Sequence, residues 1–139
     1  MAFRGLFVGI DRYRSRGIGW LTCARRDATA LHALFTDTLG GDATLLTDAA
    51  ATREAIAQEF AHLAHCAADD VVVAFSGHGT PSHELVTYDA DPDALAGTCL
   101  PLDTLIEWFA CIPARRVVCI LDCCFSGGMG AKVLQVDTR

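Results

Sequence analysis

Short apolar runs alternate with amphipathic segments along the whole chain. The first run, Leu6–Ile10, has the length and branched side chains of a strand buried on both faces. After a glycine-containing loop from Asp11 to Trp20, apolar residues recur at helical spacing from Ala24 to Leu39. Gly40 and Gly41 then predict the end of this helix. The chain therefore begins with a predicted strand, loop and helix.

A second unit follows the same order. Ala43–Leu46 is a predicted short strand, and Thr47, Asp48 and Thr52 are alternative caps for the helix after it. The apolar face of that helix carries Ile56, Phe60, Leu63 and Ala67. Val71–Phe75 is the next buried strand.

The last third of the chain contains weaker signals and one strong strand. Leu85–Tyr88 predicts a small hairpin on the rim. Pro101 is placed to open a helix whose apolar face holds Leu102, Leu105, Ile106 and Phe109, and Pro113 ends it. A strand from Val117 to Leu121 follows. Alternating strands and helices predict an α/β fold, with a mainly parallel sheet and helices on both faces.

The short segment after this strand predicts that the sheet has an exposed edge. Beyond Leu121 only a glycine-containing loop and residues Ala131–Arg139 remain, so the Val117 strand is expected to be an exposed edge of the sheet. Sheet edges are normally paired or covered. We therefore expect residues 1–139 to form one domain that a further C-terminal segment completes.

Two of the buried strands run directly into reactive side chains. Val71–Phe75 leads into Ser76-Gly77-His78-Gly79, and the Val117 strand leads into Asp122-Cys123-Cys124. Chemistry in an open parallel sheet lies at the carboxyl ends of the strands, so a thiol and an imidazole are expected to face each other there. A cysteine beside a histidine is the minimal nucleophile and base.

Composition and charge exclude several function classes. The 139 residues are 52% hydrophobic and 20% charged, which suits one compact domain, and the net charge of −6 argues against nucleic-acid or anionic-membrane binding. We find no signal peptide and no membrane-spanning run, so a cytoplasmic location is expected. The seven cysteines lack a disulfide framework and any C-x-x-C pair, which predicts reduced thiols.

The motifs resemble those of a known family. Ser76-Gly77-His78-Gly79 and Asp122-Cys123-Cys124-Phe125-Ser126-Gly127 are similar to the S-G-H-G and D-x-C-x-S-G signatures of caspase-like cysteine peptidases, in particular the metacaspase and orthocaspase branch. The spacing between His78 and Cys124 is close to the roughly 50 residues typical of that clan. The resemblance covers nearly the whole chain and corresponds to the large catalytic subunit. It implies a caspase-like three-layer sandwich and a small-subunit partner absent from this chain.

The resemblance implies a role for each matched residue. Cys124 corresponds to the nucleophile and His78 to the general base, while the amides of Gly79 and Cys124 correspond to the oxyanion donors. Asp27, Ser76 and Asp122 correspond to the pocket for the substrate residue before the cut. A pocket containing two carboxylates is expected to prefer Arg or Lys.

Each assignment has an alternative. Cys123 is the rival nucleophile, and Asp122 or Ser76 would in the simpler case bond only to nearby backbone. Asp27 would similarly act only as a first-turn helix acid. The sequence also departs from the family: Phe125 replaces a usual His, and Cys23 lies one position before a cysteine found in many metacaspases.

Two further possibilities concern metals and other functions. Asp89, Asp91 and Asp93 alternate as calcium ligands do, but the segment lacks the glycine and distal Glu of a calcium loop, so turn capping is favoured and no cofactor is expected. The predicted function is cysteine endopeptidase, with a catalytically silent caspase-like interaction module as the alternative. A Cys-dependent phosphatase is disfavoured because Gly130, not Arg, lies six positions after Cys124.

Overall fold

The computed structural model describes residues 3–123 and the backbone of residues 132–136, with strands and helices in alternation. The strands are β1 (Phe3–Gly9), β2 (Gly41–Thr47), β3 (Ala68–Ser76), β4 (Glu84–Leu85), β5 (Leu100–Pro101), β6 (Ala114–Asp122) and β7 (Lys132–Val136). The helices are α1 (Ala24–Leu39), α2 (Arg53–Ala64), α3 (Leu95–Thr98) and α4 (Leu102–Ala110), and a 3₁₀ turn covers Asp48–Ala50.

The main sheet places the ends of its central strands side by side. Its strand order is β2-β1-β3-β6-β7, and the first four strands are parallel. In the register of the sheet, Ser76 lies between Gly9 on one side and Asp122 on the other. The polar segments that follow β3 and β6 therefore start at the same edge, as the sequence predicts.

Helices cover both faces of the sheet, which confirms the predicted three-layer α/β architecture. Leu31 and Phe35 of α1 pack on one face against Phe3, Phe7 and Val72. On the other face, the larger core cluster contains residues of α2, α4 and the sheet: Ile56, Phe60, Leu63, Leu105, Phe109, Val71, Val73, Val117 and Cys119. This division explains why β1, β3 and β6 are apolar on both faces.

The helix boundaries follow from local chemistry. Among the three predicted caps of α2, Thr52 is the one used: its side chain accepts a hydrogen bond from the backbone N–H of Ala55 at 3.1 Å. Helix α2 ends at Ala64, so Ala67 lies outside the helix, and the prediction that Ala67 shares its apolar face is wrong. Pro101 is the N-cap of α4, where the absence of an N–H has no cost.

Strand β7 overturns the expected exposed edge. Lys132–Val136 pairs antiparallel with β6, from Leu121↔Lys132 to Val117↔Val136. The segment Lys132-Val133-Leu134-Gln135-Val136 carries β-branched residues, but its pairing depends on a reversal of the chain that periodicity does not reveal. The prediction that β6 forms the edge is therefore wrong.

The predicted hairpin at Leu85–Tyr88 is only partly correct. Glu84–Leu85 is extended and pairs antiparallel with Leu100–Pro101, and Leu85 also forms a bridge with Gly79. From Thr87 onward the chain turns, since the N–H of Ala90 donates to the carbonyl of Thr87. The hairpin therefore begins earlier than predicted, and it includes the residue after His78.

Gly9 allows the start of α1 to approach the end of β1. A Cβ atom at this position would lie 2.6 Å from both the carbonyl oxygen of Ala24 and the Cβ of Ala28. Backbone atoms cannot yield as a flexible side chain does, so the first turn of α1 would have to move.

We expect Gly9→Ala to lower the free energy of unfolding by about 2–3 kcal/mol, because it overpacks this contact. Urea denaturation monitored by circular dichroism measures the effect. Gly97→Ala is the matched control, since a Cβ there meets nothing within 4 Å and should change stability by less than about 0.5 kcal/mol. Equal stability of the two variants would contradict the predicted tight contact.

Within the described residues, no helix combines the length and apolar character needed to cross a membrane.

Candidate active site

Four of the predicted site residues line one open pocket of about 460 Å³ at the carboxyl edge of the sheet. They are Asp27, Ser76, His78 and Asp122. The rest of the lining is Gly77 and the segment Leu21-Thr22-Cys23-Ala24 at the start of α1. Three chain segments far apart in sequence thus converge, and the structure brings together the side chains of these four residues.

The two carboxylates enter the pocket from different elements. Asp122 is the exposed last residue of β6, and Asp27 is a partly exposed residue in the first turn of α1. Within residues 3–123, neither carboxylate has a hydrogen-bond partner. Ser76, which is 5% exposed, is the register neighbour of Asp122. The pocket is therefore acidic and retains acceptor capacity for a cationic group.

Asp11 and Asp48 fix the start of α1 and so place Asp27. The Asp11 carboxylate accepts hydrogen bonds from the N–H groups of Ala24 at 2.8 Å and Arg25 at 3.3 Å, which are otherwise unpaired at a helix N-terminus. The Asp48 carboxylate in turn accepts from the N–H groups of Asp11 and Arg12. This cap is supplied from outside the helix, because the N-cap residue Cys23 makes no side-chain cap.

One of the two nitrogens of the His78 imidazole is already engaged in a hydrogen bond. Its Nε2 lies 2.8 Å from the carbonyl oxygen of Gly19. A carbonyl oxygen only accepts hydrogen bonds, so Nε2 carries the proton and the neutral ring keeps its lone pair on Nδ1. The geometry thus prepares Nδ1 to accept a proton, which is the state a general base requires.

Backbone contacts hold the loop that follows β3. The carbonyl of His78 accepts a hydrogen bond from the N–H of Val86, and the N–H of Thr80 donates to the carbonyl of Glu84. Gly79 lies between these two bonds in the bridge with Leu85. Its own N–H donates to no group within residues 3–123, so it is free to stabilise a developing negative charge.

Of the two vicinal cysteines, only Cys123 lies within the described residues. Cys123 is 5% exposed and belongs to the core cluster on the α2 and α4 face, with its Sγ 3.8 Å from the carbonyl oxygen of Phe75. Cys124 and the following residues Phe125, Ser126 and Gly127 lie outside the described residues. Within the described residues, the Cys123 side chain therefore packs in the core and does not line the pocket.

Two other cysteines are buried away from the pocket. Burial raises the pKa of the Cys99 thiol to about 11 and that of the Cys119 thiol to about 12. The thiolate is the reactive form, so both side chains stay protonated and inert at neutral pH.

Three contributors to the site have no signature in the sequence. The carbonyl of Gly19 orients His78, and the hydroxyl of Tyr13 accepts a hydrogen bond from the backbone N–H of His78 at 2.9 Å. The exposed thiol of Cys23 also lines the pocket, 3.7 Å from the hydroxyl of Thr22. A glycine or a tyrosine in a loop gives no periodic signal that would reveal its role. The only sequence feature of Cys23 is that it lies one position before a cysteine found in many metacaspases.

The aspartates considered as calcium ligands serve as caps. Asp89 accepts hydrogen bonds from the N–H of Arg53 and the hydroxyl of Thr87, each at 3.0 Å. Asp91 accepts from the N–H of Asp93 at 2.9 Å. These contacts match the favoured turn-capping interpretation. Nowhere in the described part of the chain do three or more potential metal ligands cluster.

Comparisons with known proteins identify a family and a similar fold. The family model described as "Caspase domain", of the C14 peptidases, matches residues 4–138. A crystal structure of a protein from Geobacter sulfurreducens is similar, with a TM-score of 0.71 and 20% sequence identity. The similarity covers 89% of this chain but 51% of that protein, so the chain spans about half its length. No curated protein sequence matches significantly.

Proposed function

Because the chain belongs to the caspase-domain family of cysteine peptidases, we propose that it is the catalytic part of an endopeptidase that cleaves after Arg or Lys. One observation carries this proposal: the pocket that holds His78 also holds the carboxylates of Asp27 and Asp122. A base and a cation-binding surface thus share one cavity.

The reaction proceeds through an acyl-thioenzyme. His78 Nδ1 removes the proton from the thiol of Cys124, and the sulfur attacks the carbonyl carbon of the scissile peptide bond. Cys124 is the second residue after Asp122, and Asp122 lines the pocket at the end of β6. The resulting imidazolium donates its proton to the leaving amine. Water then hydrolyses the thioester and releases the thiol.

The backbone around His78 stabilises the charges of this reaction. The Gly19 carbonyl, 2.8 Å from Nε2, faces the positive imidazolium that forms when Nδ1 is protonated. The N–H groups of Gly79 and Cys124 are the proposed donors to the oxyanion of the tetrahedral intermediate.

The acidic pocket sets the proposed specificity. Asp27 and Asp122 approach from α1 and β6, so a guanidinium inserted between them can bond to both. Ser76, a buried residue of the pocket lining, adds a hydroxyl acceptor. An acidic side chain would meet two like charges, so caspase-type cleavage after Asp is not expected.

The proposal includes a partner and a location. A C-terminal small-subunit segment, in this protein or as a separate chain, is the proposed partner that completes the substrate groove. Cytoplasm is the proposed location, since reducing conditions keep the nucleophilic thiol active.

Digestion of a mixed peptide library tests the proposed activity. The full-length protein should cut after Arg or Lys, and the Cys124→Ala variant should not, as read by mass spectrometry. Cuts after Asp would refute the acidic-pocket argument. Absence of cleavage, together with no labelling of Cys124 by a chloromethyl ketone peptide ending in Arg, would favour the silent interaction module.

Neutralising one pocket carboxylate should weaken the preference for Arg. We expect Asp27→Asn and Asp122→Asn each to lower kcat/KM for an Arg peptide by about 10- to 100-fold, because a hydrogen bond to a charged group contributes about 1.5–3 kcal/mol. Steady-state kinetics on matched Arg and citrulline peptides measures the effect. The control is Asp103→Asn, an exposed acid in α4. Equal losses on both peptides would contradict a charge-based pocket.

A further inference from the structure

The side chain of Tyr13 lies against the loop that carries His78. It is 5% exposed, although it belongs to the mostly exposed segment between β1 and α1. Its hydroxyl accepts a hydrogen bond from the backbone N–H of His78 at 2.9 Å and lies 3.4 Å from the carbonyl oxygen of Ile10, to which it donates. One hydroxyl thus links the end of β1 to the backbone of His78.

Ring contacts add to this link. The ring centroids of Tyr13 and His78 are 5.2 Å apart, with the planes inclined by 42°. Gly77 allows the approach, because a Cβ atom there would lie 3.0 Å from the Tyr13 hydroxyl. The imidazole of His78 therefore packs against the ring of Tyr13, and the backbone N–H of His78 is bonded to the same side chain.

The same segment also orients the other side of the imidazole. Gly19, whose carbonyl accepts from Nε2, lies six residues after Tyr13 in the loop between β1 and α1. The loop is itself anchored, since the N–H of Leu21 donates to the carbonyl of Asp11 and that of Arg14 donates to the carbonyl of Tyr88. Two contacts from one anchored loop thus fix both the backbone and the ring of His78.

We propose that Tyr13 is a positioning residue that holds His78 with Nε2 bonded to the Gly19 carbonyl and Nδ1 left to act as the base. Its role in catalysis rests on the proposed function, whereas its hold on His78 does not. Tyr13 acts through the backbone N–H and the ring of His78, and it touches neither substrate nor nucleophile in this proposal.

The protonation state of the hydroxyl supports this role. Burial raises the pKa of Tyr13 well above its usual value, so the hydroxyl stays protonated at neutral pH. It can therefore donate to Ile10 and accept from His78 at the same time. In Tyr13→Phe the ring remains, but the N–H of His78 loses its acceptor.

Tyr13→Phe in the full-length protein tests the proposal, with Tyr88→Phe as the matched control. The chain has two tyrosines, and within the described residues the Tyr88 side chain makes no hydrogen bond. We expect Tyr13→Phe to accelerate deuterium exchange of the His78 amide about tenfold and to broaden its imidazole ¹⁵N signals, both read by NMR. We further expect kcat to fall about tenfold with KM within twofold. Tyr88→Phe should change none of these quantities.

Each outcome bears on one claim. Unchanged amide exchange and unchanged imidazole signals in Tyr13→Phe would overturn the positioning role, whatever the activity. If the wild-type protein has no peptidase activity but the NMR changes appear, the hold on His78 stands and the proposed function fails. Gly77→Ala provides a second variant, since its methyl group would push the hydroxyl away and should reproduce the faster exchange.

Discussion

Replacing Cys124 with Ala is expected to lower kcat/KM for an Arg-containing peptide by about 10⁴-fold or more. Without the sulfur no acyl-thioenzyme forms, and the rest of the site can only assist direct attack by water. The measurement is the initial rate of cleavage by the full-length protein, with thermal unfolding recorded in parallel to verify that the variant is folded.

Cys123→Ala is the control for this experiment. The Cys123 side chain lies in the core, 3.8 Å from the carbonyl oxygen of Phe75. Its loss should therefore reduce stability by about 1 kcal/mol, as other small core deletions do, and leave kcat within about threefold. A large loss of activity in Cys123→Ala, with Cys124→Ala still active, would exchange the two roles and refute our assignment of the nucleophile.

Replacing His78 with Gln is expected to lower kcat by about 10³-fold, because general acid–base catalysis contributes about 10²- to 10⁴-fold. Glutamine can still donate to the carbonyl of Gly19, but it cannot carry a proton from the thiol to the leaving amine. Alkylation of Cys124 by iodoacetamide at neutral pH should also become slower, since no imidazole is present to accept the thiol proton. Both rates are measured on the same preparation.

His62→Gln is the comparison variant. His62 is exposed in α2, on the face of the sheet opposite to α1, so its replacement should leave cleavage and alkylation unchanged. If His78→Gln were as active as His62→Gln, Nδ1 of His78 would not be the base. The proposed peptidase mechanism would then have no proton acceptor.

Much of the candidate site could be predicted from local sequence. Buried strands that end in Ser76-Gly77-His78 and in Asp122 are visible as apolar runs with polar ends, and the parallel sheet places those ends together. The helical periodicity that starts at Ala24 predicts only that Asp27 lies in the first turn of a helix, and its place in the site came from the family resemblance. The location of these residues depends on interactions within one strand or helix, or on the general rule that parallel strands end at one edge of the sheet.

Other features depend on contacts between distant segments. The hydrogen bond from His78 to the Gly19 carbonyl uses a backbone atom, which every residue type supplies, so no residue letter reveals it. The role of Tyr13 depends on the path of the loop that buries it. The antiparallel pairing of β7 with β6 depends on a chain reversal, and the expected edge was wrong for that reason.

The sequence by itself determined which segments are strands and helices, because burial on one or two faces imposes a period on the side chains. It also marked the ends of β3 and β6 as the place of chemistry. Only the tertiary structure decided that Cys123 lies in the core, that Nε2 of His78 is bonded to Gly19 and that Asp27 and Asp122 share a pocket. The reason is physical: periodicity reports the environment of a residue within its own element, whereas the direction of a side chain and the partner of a carbonyl depend on segments far away in the chain.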